Sequence, residues 1–134
     1  MKNITAVICL LLCAGCTSGF DRSRAQGQWT ACKSNEKNIA TGLEMYASDN
    51  AGYYPSELAK LTPSYLKTIP TCPAASKDSY MATYKFTAAK RDKQGNIVEG
   101  KDSYTFCCQG ENHKAAEVPA DLPAYNSDSG LKEK

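Results

Sequence analysis

The chain has 134 residues, with 16 basic and 14 acidic side chains. This length allows one domain, and a charge so close to neutral gives no electrostatic field strong enough to indicate nucleic-acid binding. Seven cysteines in so short a chain are typical of an oxidising compartment, where disulfides stabilise a small core. The composition therefore indicates a protein that is exported from the cytosol.

The first residues have the pattern of a secretory signal peptide. Lys2 supplies one positive charge, and residues 4–13 are almost all apolar. A bilayer-spanning helix needs about 20 apolar residues, so a transmembrane anchor is disfavoured. We predict a signal peptide over residues 1–15.

The end of this segment, Ala14-Gly15-Cys16, resembles the lipobox of bacterial lipoproteins, in which the signal is removed just before a cysteine that receives diacylglycerol. The resemblance implies lipidation of Cys16. Cys13 stands where a lipobox usually has an aliphatic residue, so cleavage by an ordinary signal peptidase near Gly15 or Gly19 is the alternative.

The next segments are predicted to be a tether and an amphipathic helix. Residues 16–28 form the anchor and tether, which becomes helical near residues 24–29. Helical spacing then places apolar residues on one side. These are Trp29, Cys32, Ile39, Ala40, Leu43, Tyr46 and Ala47. Residues 48–52 should end the helix, because Asn and Gly tolerate the left-handed conformation that closes a helix.

The stretch LEMYASDNAGYYPSELAKLTPSYLKTIPTCP resembles the globular head of a type IV pilin or a type II secretion pseudopilin. In that family, a long first helix is followed by a segment with Asp, Gly, Tyr-Pro and Leu in this order, and then by a small antiparallel sheet. The matching residues are Asp49, Gly52, Tyr54, Pro55 and Leu58. The resemblance implies a pilin-like α+β domain over residues 29–131, with residues 132–134 as a frayed tail.

The N-terminus departs from the pilin pattern. Pilins have a short basic leader, then G-F-T-L-I-E and a long apolar helix that builds the filament core. This chain has only Gly19-Phe20-Asp21, and residues 21–28 are polar. A pilin-like head would therefore lack the fibre-forming helix and would instead follow a lipoprotein-like signal peptide.

The second half of the chain shows the alternation of strands. Tyr84 and Phe86 alternate with polar residues, and so do Tyr104, Phe106 and Cys108. We predict two antiparallel strands within a sheet of three or four strands. The charged connection over residues 90–96 should project into water and extend a hairpin through residues 97–98, and the tail from residue 117 should be mostly irregular.

Four cysteines remain after removal of the signal and lipidation of Cys16: Cys32, Cys72, Cys107 and Cys108. A bridge between the neighbours Cys107 and Cys108 would be strained, which leaves two pairing patterns. Alternation directs Cys108 to the side where Cys32 also points, and Cys107 to the other side. We therefore favour the pairs Cys32–Cys108 and Cys72–Cys107.

Metal-binding and catalytic sites find little support in the sequence. Cys107-Cys108 followed by His113 could form a metal or redox site, but the spacing matches no zinc motif. His113, the single histidine, lies in a polar run and is predicted to be solvated. Residues 49–52 offer oxygen ligands for calcium without the spacing of an EF-hand, so a helix cap is favoured. We expect no catalytic residue, metal or cofactor.

Glu36 interrupts the apolar face of the helix. A buried carboxylate without a partner is costly, so we expect the sheet to leave Glu36 at the rim of the core. There it could contact a basic partner or a basic side chain of this chain.

The predicted function is non-catalytic. The resemblance implies a pilin-like or pseudopilin-like lipoprotein that contacts other pilin-like or secretion-system subunits in or near a type IV pilus or type II secretion system. It would be held by its lipid in the periplasm or at the cell surface. Thr17 lacks the Asp of an inner-membrane retention signal, which favours the outer membrane. A free-standing binding lipoprotein with a pilin-like head is the alternative, and an enzyme is the third option.

Overall fold

A computed structural model describes the backbone of residues 2–134 and the side chains of residues 19–134. The predicted lipidation of Cys16 and the side chains of the predicted signal peptide lie outside the described residues. Among the described residues, no helix combines the length and apolar character that a membrane crossing requires.

One long helix, α1, extends from Lys2 to Asp49. The predicted helix over residues 24–29 is confirmed, but the tether before it is helical as well, which the sequence does not predict. No proline occurs in this part of the chain, and most of its residues are compatible with a helix. Residues 19–24 are exposed, and from Ala25 onward one face of α1 is buried at intervals of three and four residues.

The helix ends where the sequence predicts. The Gly52 amide donates to the Ala47 carbonyl at 2.8 Å, and Ala51 and Gly52 have φ angles of 55° and 86°. Glycine adopts this left-handed conformation at little cost, so Gly52 allows the chain to reverse direction.

The segment after α1 folds back onto it. A 3₁₀ helix at Leu58–Leu61 buries both of its leucines in the same core as Ile39 and Leu43. Gly42 permits this close approach, because a Cβ atom at that position would lie only 3.1 Å from Cγ of Leu66.

Six short strands follow. They are β1 (Lys85–Thr87), β2 (Lys90–Arg91), β3 (Ile97–Glu99), β4 (Ser103–Cys107), β5 (Ala124–Asn126) and β6 (Gly130–Lys132). Four form an antiparallel sheet in the order β1-β4-β5-β6, and β2 pairs with β3 as a separate hairpin. The predicted α+β class, with one helix and a small antiparallel sheet, is confirmed.

The tail from residue 117 is mostly irregular, as predicted, but it contains two strands that the sequence does not predict, β5 and β6. Their hairpin turns at Asn126, whose Oδ1 accepts the Asp128 amide at 2.7 Å, and at Gly130, whose φ is 75°. Each strand has only three residues, which is too few for alternation to be recognised in the sequence.

The sheet covers α1 with aromatic side chains. Tyr104 and Phe106 of β4 are buried, and Tyr125 of β5 stacks on both, with ring centroids 6.2 and 5.8 Å away. A second, smaller cluster packs Trp29 and Ala25 against Leu122 and Ala116. The helix is thus fixed to the rest of the domain at two places along its length.

Replacing Leu43 with Ala should destabilise the domain by about 3 kcal/mol, because truncating a buried leucine removes apolar contact and leaves a cavity. Leu43 has no exposed surface, whereas Met45 on the same helix is 51% exposed. The matched Met45→Ala variant should change stability by less than about 0.5 kcal/mol. Urea unfolding followed by circular dichroism measures both, and equal effects would contradict the packing described above.

Candidate functional site

Three thiols and one imidazole converge inside the domain. The side chains of Cys32, Cys72, Cys108 and His113 are all buried, and one potential ligand atom from each lies within 4.8 Å of the others. Among the residues with described side chains, no other group of three or more His, Cys, Asp or Glu residues comes together in this way.

Each of the four residues comes from a different part of the fold. Cys32 lies on the buried face of α1, and Cys72 begins a tight loop in which its carbonyl accepts the Ser76 amide at 2.8 Å. Cys108 follows β4 directly, and its amide donates to the Pro123 carbonyl at 2.9 Å. His113 precedes the 3₁₀ helix Lys114–Ala116. The sheet, the loop and the helix therefore all contribute to the cluster.

The histidine ring is oriented by its neighbours. Its Nε2 atom lies 3.5 Å from Sγ of Cys72 and 3.6 Å from Sγ of Cys108. The ring packs edge-on against Trp29, with centroids 5.1 Å apart. Nε2 is thus directed at the sulfur atoms, while the buried Nδ1 has no hydrogen-bond partner among the described residues.

Polar groups surround the sulfur atoms. The Tyr80 hydroxyl lies 3.0 Å from Sγ of Cys32, and the Ser79 hydroxyl lies 3.5 Å from Sγ of Cys108. Nδ2 of Asn112 donates to the same Cys108 sulfur at 3.5 Å. Hydrogen-bond donors of this kind stabilise sulfur in its thiolate form.

Contacts among the four side chains shift their pKa values. Hydrogen bonding from Cys108 and Cys32 lowers the pKa of the Cys72 thiol, whereas the hydrogen bonds of Cys32 with Cys108 and Cys72 raise the pKa of Cys32. Burial alone would lower the pKa of His113, but its contacts with Cys108 and Cys72 raise it to about 9. The lowered pKa of Cys72 and the raised pKa of His113 thus share one cause, the hydrogen bonds within the cluster.

The predicted disulfides Cys32–Cys108 and Cys72–Cys107 are not formed in the structure, where all four cysteines are free thiols. Cys107 lies outside the cluster, on the side of β4 that alternation predicts, and its amide donates to the Thr83 hydroxyl at 3.0 Å. Cys72 instead lies with Cys32 and Cys108, so three thiols share one space.

The prediction of a solvated His113 is wrong, because this side chain is only 3% exposed. Its neighbours Glu111 and Lys114 are exposed and pair with each other at 3.1 Å. The polar residues around His113 therefore lie on the surface of the loop, while the His113 side chain points into the core. The Cys108-x-x-x-x-His113 spacing, with Trp29 one turn before Cys32, was the available signal, but it matches no established motif.

The placement of Glu36 at the rim is also wrong. Glu36 has no exposed surface, and neither carboxylate oxygen has a hydrogen-bond partner among the described side chains. Burial raises the pKa of Glu36 to about 8. Because it is enclosed, Glu36 has no surface on which a basic partner could bind.

The residues of the 49–58 motif position the loop after α1. The Asp49 carboxylate accepts a hydrogen bond from the Tyr65 hydroxyl at 3.0 Å, and the Tyr54 hydroxyl donates to Glu44 at 2.9 Å. Pro55 is buried, and its carbonyl accepts the Tyr84 hydroxyl at 2.7 Å. These contacts fix the loop to the helix and to the sheet.

The donor set of the cluster suits a metal ion with a preference for sulfur and nitrogen. Three cysteines and one histidine are a known ligand set of tetrahedral structural zinc sites. All four side chains are buried.

Comparison with known proteins gave no match among family models, curated proteins or solved structures. The resemblance to pilin heads therefore stays a prediction from the motif residues.

Proposed function

We propose that this protein is a non-catalytic, pilin-like or pseudopilin-like lipoprotein, which acts by contact with other subunits in or near a type IV pilus or type II secretion system. The observation that carries the proposal is the course of α1. Within the described side chains of residues 19–49, which would remain after removal of the signal peptide, residues 19–24 are helical and exposed, and packing against the rest of the domain begins at Ala25.

This architecture agrees with the resemblance in the motif. A long N-terminal helix, a loop that folds back on it and a small antiparallel sheet are the parts that a pilin head would have. The exposed residues 19–24 present Phe20, which is 72% exposed, next to Arg22, which pairs with Glu117 at 3.3 Å. An exposed aromatic ring on a helix that extends beyond the core is the kind of group through which a neighbouring subunit binds.

A photo-crosslinking amino acid at position 20 tests the proposal in the native membrane fraction. Crosslinks to pilin-like or secretion-system subunits should form from position 20. The matched control is position 93, because Lys93 is exposed in the turn between β2 and β3 and lies outside the helix. Equal crosslinking from both positions would contradict a contact through the helix, and no adduct at either position would favour a free-standing lipoprotein.

The mass of the protein from the same fraction tests the anchor separately. We expect the mature chain to begin at Cys16 and to carry an acylated glyceryl group. A mass that corresponds to a different first residue and to no lipid would contradict the lipoprotein assignment. The contact through the helix would then be judged by the crosslinking experiment alone.

A further inference from the structure

We propose that the domain holds a structural zinc ion, bound by Sγ of Cys32, Cys72 and Cys108 and by Nε2 of His113. The proposal does not depend on the pilin-like function. It rests on the type, the burial and the mutual distances of these four side chains.

The distances fit tetrahedral coordination. Bonds of about 2.3 Å from zinc to sulfur and about 2.0 Å from zinc to nitrogen separate the nitrogen from each sulfur by about 3.6 Å in a tetrahedron. The observed distances from Nε2 of His113 to the sulfurs of Cys72 and Cys108 are 3.5 and 3.6 Å. A tetrahedron would separate the sulfurs by about 3.8 Å, and all four ligand atoms here lie within 4.8 Å of one another. The side chains would thus need little movement to bind the ion.

Zinc accounts for the whole cluster, whereas a disulfide does not. A disulfide would join two of the three sulfurs and leave a buried thiol beside a buried imidazole. A zinc ion would use all three thiols as thiolates and the neutral imidazole through Nε2. The three thiol protons would pass to solvent, and Nδ1 would keep its proton. Four protein ligands also fill the tetrahedron and leave no open position for a substrate, which is the pattern of structural sites.

The surroundings suit the charge that such a site would have. Three thiolates around one Zn²⁺ leave a net charge of about −1, which hydrogen-bond donors to sulfur stabilise. The Tyr80 hydroxyl at Cys32 and the Asn112 amide at Cys108 are such groups. Calcium and magnesium prefer oxygen ligands and do not fit this donor set.

Elemental analysis of the full-length chain, purified under reducing conditions, tests the proposal. We expect about one zinc ion per chain, and Co²⁺ in its place should give the intense visible absorption and sulfur-to-cobalt charge transfer of a tetrahedral thiolate site. Cys72→Ser should abolish stoichiometric zinc and the charge-transfer band. The matched control Cys107→Ser should keep both, because Cys107 lies next to Cys108 but outside the cluster.

Several results would overturn the proposal. One is a wild-type chain without stoichiometric zinc that also fails to give the cobalt spectrum. Another is equal zinc retention in Cys72→Ser and Cys107→Ser. A third is a disulfide among Cys32, Cys72 and Cys108 in the unreduced protein from its native membrane fraction, detected by alkylation before and after reduction. The measurements on the wild-type chain remain decisive if Cys72→Ser fails to fold.

Tyr80→Phe tests the role of the surrounding donors. This variant keeps the buried ring and removes only the hydroxyl that lies 3.0 Å from Sγ of Cys32. Loss of such a group typically weakens metal binding by about 10- to 100-fold, so zinc affinity measured by competition with a chelator should fall by about that factor. Thr83→Val is the control, since the Thr83 hydroxyl bonds to the backbone of Cys107 and not to a ligand sulfur. Equal affinities of Tyr80→Phe and the wild type would contradict the role of Tyr80.

Discussion

Removal of the zinc ion by excess EDTA should unfold the domain or lower its melting temperature by tens of degrees. Structural zinc in small peptides has an apparent binding free energy of about 10–16 kcal/mol, which is as large as the whole stability of a typical domain. Here the ion would join α1, the loop at Cys72 and the end of β4, which otherwise meet through a small core. Circular dichroism during heating, with and without the chelator, measures the effect.

Two variants separate this effect from general actions of the chelator. Cys107→Ser should respond to EDTA as the wild type does, because the zinc ligands are intact. Cys72→Ser should melt early, with the same midpoint in the presence and absence of EDTA. A wild-type chain that melts at one temperature under both conditions would show that no metal supports its fold.

Replacing Glu36 with Gln should make the domain more stable than the wild type at alkaline pH. Burial raises the pKa of Glu36 from 4.5 to about 8, so the folded chain holds a proton that the unfolded chain releases. The stability that this proton contributes is complete below pH 4.5 and is lost as the pH rises to about 8. The full loss corresponds to about 5 kcal/mol, at about 1.4 kcal/mol for each pH unit.

The comparison of Glu36→Gln with the wild type isolates this contribution, because other titrating groups are common to both chains. Between about pH 6 and pH 9, the stability difference should grow by about 3 kcal/mol in favour of the variant. Urea unfolding at several pH values measures it. Glu57→Gln, at an exposed position, reports the effect of removing a charge at the surface. A difference for Glu36→Gln that stays constant with pH would contradict the burial of an ionisable Glu36.

Local patterns in the sequence predict much of the fold. The spacing of Trp29, Ile39 and Leu43 predicts the buried face of α1, and Gly52 predicts where the helix ends. Alternation predicts β1 and β4 and their antiparallel pairing. Each of these features is decided by residues that are near neighbours in the chain, so periodicity is sufficient to find them.

The cluster could not be predicted in the same way. Its four ligands are spread from Cys32 to His113, and only Cys108 and His113 are close in the sequence, which is one half of a zinc motif without the other. Only the packing of α1, the loop and the sheet brings them together. In an exported chain we expect disulfides, and these would pair all four cysteines with each other. No cysteine then remains as a partner for His113, so His113 is interpreted from its polar neighbours alone.

Glu36 shows a different limit. The cost of burying a carboxylate argues for the rim, and that argument holds for a charged group. A carboxylic acid that keeps its proton avoids most of the cost, and the enclosed position favours that state. The sequence shows which residue is unusual on the apolar face, but it does not show in which protonation state the domain accommodates it.

The hairpin of β2 and β3 lies between two halves of the cluster in the sequence. Cys32 and Cys72 precede it, Cys108 and His113 follow it, and its turn is exposed. If a protease cut this turn, each fragment would keep two of the four ligands, and neither could hold the ion alone. The ion, together with the pairing of β1 with β4, would then keep the two pieces associated. The turn is consequently the place where the chain could be interrupted, or a tag inserted, with least effect on the domain.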